Sequence, residues 1–234
     1  MRNTPKIFCT VFCTIFLTYS IVSLSGINKA STSFSNGDGP VSKALNYLRN
    51  VQQSDGCISD FATSSWAVMA IAAAGEDPHN WSVGGPSIVD YLIANRHMLD
   101  LGKASDVERF ILSMTAADED SRDINGTDYV EILKNHFVNG QIGDEEWLFD
   151  DFWGVLALVS TGQAANSTVI HETVEFIKEH QNSDGGWGWA VGAGSDVDDT
   201  AAAIMSLISA GEDNSTEVVK KALQYLRNNQ QPDG

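Results

Sequence analysis

Apolar and polar positions follow two distinct rhythms along this chain. Residues 41–51 place Val41, Ala44, Leu45, Leu48 and Val51 on one face of a 3.6-residue period and Lys43, Asn46, Arg49 and Asn50 on the other, which predicts an amphipathic helix. Residues 61–74 are apolar nearly all round, so a helix there has to be buried on every side. Turn signals separate the two kinds: Ser54-Asp55-Gly56, Ser183-Asp184-Gly185 and Pro232-Asp233-Gly234 follow amphipathic segments. Gly75, Gly162 and Gly211 close apolar ones as helix C-caps.

The alternation is periodic. The segment from Lys43 to Gly56 returns almost word for word from Lys221 to Gly234, and Phe176-Ile177-Lys178 with Gln181 and Asp184-Gly185 forms a third copy. Weaker copies surround Tyr91-Leu92 and Ile132-Leu133. Taking Tyr47 as anchor, the steps to Tyr91, Ile132, Phe176 and Tyr225 are 44, 41, 44 and 49 residues. The closing positions Gly75, Asp118, Gly162 and Gly211 step in parallel. This is the period of a two-helix repeat. Half-buried helices alternating with fully buried ones predict an all-α fold, an α/α toroid with amphipathic helices outside and apolar, Ala-rich helices inside. The last copy stops at Gly234 just before an expected inner helix, so the toroid is expected to be incomplete at the C-terminus.

The residues at the joints resemble a known motif. Gln181-x3-Gly185-x-Trp187 is similar to the QW motif of the terpenoid cyclase and protein prenyltransferase superfamily, which implies an α/α toroid. Gln52 with Gly56, and Gln230 with Gly234, match its first half, and Ile58 stands where the first copy would carry Trp. The resemblance implies a structural brace, with Gln bonding to helix-end backbone and Trp stacking over it.

Asp196-Val197-Asp198-Asp199-Thr200-Ala201 resembles the DxDDTA motif of class II terpene cyclases such as squalene-hopene cyclase. That resemblance implies that Asp198 is a general acid protonating an alkene, with Asp196 and Asp199 as its hydrogen-bonding neighbours. Helix-start chemistry accounts for part of the same pattern, because Asp is a favoured N-cap and acidic residues suit a helix's first turn. Aligned by the closing residue, Asp196 corresponds to Asp60, and Asp199 to Asp106 and Asp150. Only Asp198 has no acidic counterpart.

Composition narrows the function classes. The chain has 14 Lys+Arg against 31 Asp+Glu, a net charge of −17, which opposes binding to nucleic acid or to anionic lipid. Arg2 and Lys6 precede an apolar run over residues 7–24 with small residues at its end, the pattern of a secretory leader, with an uncleaved anchor as the alternative. Domain boundaries follow: residues 1–25 as signal peptide or anchor, 26–39 as linker, 40–234 as repeat domain. Of Cys9, Cys13 and Cys57, only Cys57 survives such a cut, so no intrachain disulfide is expected. Asn80, Asn125, Asn166 and Asn214 head glycosylation sequons, consistent with an exposed surface.

No metal or cofactor is expected. His79, His97, His136, His171 and His180 lack ligand spacing, and Cys57 falls in a turn, so the zinc site of the prenyltransferase branch is not matched. The acidic run from Asp118 to Asp128 does not meet calcium-loop spacing. Trp66, Trp153 and Trp189 are candidate lining for a ligand cavity. Two readings follow. One is an exported or cell-surface toroid module that binds a hydrophobic small molecule or a protein partner without catalysis. It would touch a membrane only through an N-terminal anchor or a C-terminal segment. The other is a class II cyclase using Asp198.

Overall fold

The computed structural model describes residues 39–232, so the leader and linker readings, Cys9, Cys13 and the final Asp233-Gly234 lie outside the described residues. The described chain is all-α apart from one small hairpin. Its helices are α1 (Pro40–Val51), α2 (Phe61–Ala73), α3 (Ile88–Ala94), α4 (Ala104–Ala116), α5 (Tyr129–Lys134), α6 (Leu148–Ser160), α7 (Thr168–Glu179), α8 (Val197–Ser209) and α9 (Glu217–Asn229). By place in the repeat, odd-numbered helices are the first, amphipathic members of each pair and even-numbered helices the second, apolar ones; α4, with Asp106, Glu108 and Arg109, is the mixed member of its set.

Burial is light on the first and last helices and heaviest on α6 and α8, while α3 and α7 bury one face. Helix α1 has no buried residue and α9 buries only Val219 and Ala222, whereas α8 buries nine of its residues, among them Ala201, Ala202, Ala203, Ile204 and Leu207. Each fully buried aliphatic side chain, such as Val68 or Ile71 on α2, contributes roughly 1.5–3 kcal/mol by leaving water. Buried apolar side chains also come from α3, α5 and α7, among them Leu92, Leu133 and Ile177.

Every apolar helix ends in the same way. Gly75 donates to the Ala72 carbonyl at 2.9 Å and Glu76 to the Ile71 carbonyl at 3.2 Å; Gly162 with Gln163 and Gly211 with Glu212 repeat both bonds. These are Schellman motifs, which require a left-handed residue at the closing position. Its φ is +83° at Gly75, +78° at Gly162 and +98° at Gly211. At the end of α4 the position is held by Asp118 with φ +60°, a residue whose short polar side chain tolerates this region.

The described residues fall into two compact units, one running to Leu101 and including Arg109–Tyr129, the other comprising Gly102–Glu108 and the chain from Val130 onward. In the first, α2 packs on α3, and Phe110 stacks on Phe61 (6.1 Å) and meets Tyr129 at a tilt (4.7 Å). In the second, α8 lies between α6 and α9, and α7 packs on α6. The hairpin belongs to the second unit, with β1 (Phe137–Val138) pairing antiparallel to β2 (Gln141–Ile142) through Asn139 and Gly140. Both turn residues have positive φ, +55° and +86°, the type I′ signature of an Asn-Gly pair.

Candidate functional site

The joint after α7 is built by the Gln-Gly-Trp triplet. Gln181 Nε2 donates to the Gly185 carbonyl at 2.9 Å and to the Val218 carbonyl at 2.8 Å, tying the turn to the start of α9. Trp187 is fully buried, and its Nε1 donates at 2.7 Å to the Ile177 carbonyl near the end of α7, which also accepts the His180 N–H. Its backbone N–H donates to Thr200 Oγ1 at 3.0 Å. The joint after α1 repeats this without the indole. Gln52 Nε2 donates to the carbonyls of Gly56 (3.1 Å) and Trp81 (2.8 Å), and the N–H of Ile58 donates to Ser64 Oγ at 2.9 Å. Gly56 and Gly185 share φ near +90°, and a Cβ on either would lie within 2.7 Å of the backbone of the following segment. Gln230 is exposed, and the rest of its copy falls outside the described residues.

The acidic motif begins α8. Asp196 is the N-cap, its Oδ1 accepting the Asp199 N–H at 2.8 Å, as Asp60 Oδ1 caps α2 by accepting from Thr63 at 2.7 Å. Asp106, Asp150 and Asp199 each occupy the third position of their helices. Asp198 is exposed, while Asp199 is half-buried. Burial pushes the Asp199 carboxyl up to about 7, helped by its hydrogen bond to Asp196 and by the charges of Asp196 and Asp198. The preceding loop is pinned on three sides: Asn182 Nδ2 donates to the Ala193 carbonyl and Ser195 Oγ, Ser195 Oγ donates to Asp184, and Tyr225 donates its hydroxyl to the Ser195 carbonyl.

That loop also carries aromatic surface. The Phe149 N–H donates to the Trp189 carbonyl at 3.2 Å and the Val191 N–H to the Glu146 carbonyl at 2.9 Å, so residues 189–191 run beside the entry to α6. Trp147 stacks on Phe149 with ring centroids 5.4 Å apart. Trp189 is 53% exposed and Trp147 39%, and Val191 and Val197 are exposed with them. Of the three candidate tryptophans, Trp153 (half-buried on α6) and Trp189 share the second unit, whereas Trp66 is half-buried on α2 in the first.

The most deeply buried carboxylates of the second unit are ones that sequence reasoning missed or undervalued. Asp151 and Asp150, in the first turn of α6, clasp the end of the hairpin: Asp151 Oδ1 accepts the Ile142 N–H at 2.8 Å and Asp150 Oδ2 the Asp144 N–H at 3.3 Å. Their other oxygens, Asp151 Oδ2 and Asp150 Oδ1, are buried with no hydrogen-bond partner in the protein. Burial pushes Asp151 up to about 8, against the Ile142 hydrogen bond and with repulsion from Asp150. Asp150 is pushed up to about 6 for the same leading reason, against the Asp144 hydrogen bond. Glu108, buried on α4, lies against the same helix, since a Cβ on Gly154 would meet its Oε1 at 3.2 Å. Asp150 was legible only as a helix-start counterpart of Asp199. The Asn139-Gly140 pair was the available signal for the hairpin that buries Asp151. Among the described residues, no group of three or more His, Cys, Asp or Glu is placed to hold a metal ion.

A family model described as the squalene-hopene cyclase C-terminal domain matches residues 97–234, more than half of the chain. The chain belongs to that family. Among solved structures it resembles ent-copalyl diphosphate synthase from Streptomyces platensis, with a TM-score of 0.59 and 14% identity over 96% of this chain and 45% of that one. It thus spans less than half the length of the structure it matches, and at that identity the likeness carries the fold alone: an α/α architecture of the terpene cyclase type. No curated protein matches significantly. The expected resemblance to the terpenoid cyclase superfamily and the expected all-α fold agree with these findings.

Proposed function

We propose that this terpenoid cyclase-like domain is an exported binding module, holding a hydrophobic small molecule or an apolar segment of a protein partner without transforming it. The observation that carries the reading is the pair of tryptophans, Trp147 and Trp189, left in water on adjoining segments at the entry to α6 and α8. Large aromatic surface kept wet in a folded chain marks a place that a partner covers. Asp198 points the same way. An acid that protonates an alkene works where water cannot capture the resulting cation, and Asp198 is exposed. Export rests on the leader pattern of residues 1–25.

A class II cyclase is the second reading, favoured by one specific observation. Asp199 holds its proton near neutral pH beside Asp196 and Asp198, in a sequence similar to the cyclase motif. In this reading Asp198 is the acid and its two neighbours position the proton.

One experiment separates the two. The purified full-length chain is titrated with squalene and a shorter polyprene while tryptophan emission is followed, and extracted products are analysed by gas chromatography. The binding reading expects an emission change that is lost in Trp189→Ala and no cyclised product. Cyclised product that disappears in Asp198→Asn overturns it in favour of the enzyme.

A further inference from the structure

Eight asparagines lie in the described joints between helices, and they divide by the kind of joint they occupy. Asn80, Asn125, Asn166 and Asn214 follow apolar helices and lead to amphipathic ones, while Asn95, Asn135, Asn139 and Asn182 lie in the opposite kind of joint. All four of the first group have Ser or Thr two residues on: Ser82, Thr127, Thr168 and Thr216. None of the second group does; the residues there are His97, Phe137, Gln141 and Asp184.

Turn formation explains asparagine in either kind of joint but not the hydroxyl two residues later. Helix capping does not explain it either. Thr216 is the N-cap of α9 and makes no side-chain cap bond, its Oγ1 donating instead to the Asp213 carbonyl at 2.9 Å. All four asparagines are exposed, and the intervening residues Trp81, Gly126, Ser167 and Ser215 include no proline.

We infer that Asn80, Asn125, Asn166 and Asn214 are acceptors for N-linked glycans, one to each helix pair and always at the C-terminal end of its apolar helix. The inference rests on the export reading, because the donor, a lipid-linked oligosaccharide, is presented on the far side of the membrane. In the transfer the asparagine side-chain nitrogen forms a bond to the anomeric carbon of the sugar. The bond from that carbon to the phosphate oxygen breaks, the lipid phosphate leaves with the electron pair, and the amide gives up one proton. Helix α8 has 13 residues, about 20 Å at 1.5 Å per residue, so a glycan on Asn214 sits a full helix length from Asp196 and its aromatic neighbours. The sugars would cover one end of a helix pair and leave the other bare.

The test is expression of the full chain, with its own leader, in a eukaryotic secretory host. Secreted protein is treated with peptide N-glycosidase and mapped by mass spectrometry. The expected result is four occupied sites and an enzyme-sensitive mobility shift that falls by one increment in each of Asn80→Gln, Asn125→Gln, Asn166→Gln and Asn214→Gln. Ser82→Ala, Thr127→Ala, Thr168→Ala and Thr216→Ala leave each asparagine in place and are expected to lose the same increments. Secreted protein without a shift, or a shift that survives the alanine variants, overturns the assignment while leaving export intact. Protein retained in the cytosol and unmodified overturns export and the assignment together.

Discussion

Gln181 and Val218 are joined across 37 residues by a side-chain amide donating 2.8 Å to a backbone carbonyl. The same nitrogen serves the Gly185 turn, so one side chain fixes both the exit from α7 and the start of α9. Gln181→Ala removes both bonds and is expected to lower stability by roughly 1–3 kcal/mol. Gln52→Ala, whose two bonds lie in more buried surroundings, is expected to cost at least as much. Urea unfolding of the purified variants checks both.

The ends of α2 and α8 offer a matched pair. Asp60→Ala and Asp196→Ala each remove an N-cap bond and are expected to cost about 0.5–2 kcal/mol. They differ in one respect. Asp196 also holds the Asp199 carboxyl up, so Asp196→Ala moves the Asp199 titration down from about 7, visible by carboxyl-carbon NMR.

Asp151 sets a pH dependence whose sign is fixed. Its folded-state pKa of about 8 lies above that of an unfolded aspartate, so between about pH 4 and 8 the folded chain holds a proton that the unfolded chain has released. Stability therefore falls as pH rises through that window, and Asp150 adds to the slope at its acid end, up to about 6. Asp151→Asn keeps an acceptor for the Ile142 N–H without the charge. It is expected to flatten the decline, giving a thermal midpoint above that of the parent at pH 8 and close to it at pH 5.

Two glycines distinguish backbone strain from collision. A Cβ at Gly162 would meet nothing within 4 Å, so Gly162→Ala carries only the cost of a left-handed residue, about 1 kcal/mol. A Cβ at Gly185 would lie 2.7 Å from the Lys221 carbonyl oxygen as well, so Gly185→Ala is expected to cost more. Unfolding curves that rank the two the other way would contradict this account of the joint.

A recurring ion pair shows how far the repeat extends into detail. Arg49 pairs with Glu76, and Lys178, at the aligned position, pairs with Glu212 at 2.8 Å. Trp81 joins the first pair, its Nε1 donating to Glu76 while Arg49 lies over its ring at 4.1 Å. The alignment of repeats predicted which positions correspond. It gave no sign of Trp81, which comes from outside both aligned segments.

What the sequence determined by itself was the local grammar: two helix types, their period, the closing positions and the aspartates that begin helices. Those follow from spacing and from conformational preferences that act within a few residues, so no knowledge of the fold is needed to read them. Tertiary structure decided which carboxylates lose their water. Asp198, Asp199, Asp150 and Asp151 look alike on the page, yet Asp198 stays wet while the hairpin and the neighbouring helices bury Asp151 against Ile142. Desolvation depends on what the rest of the chain brings alongside, and neighbours distant in sequence supply it.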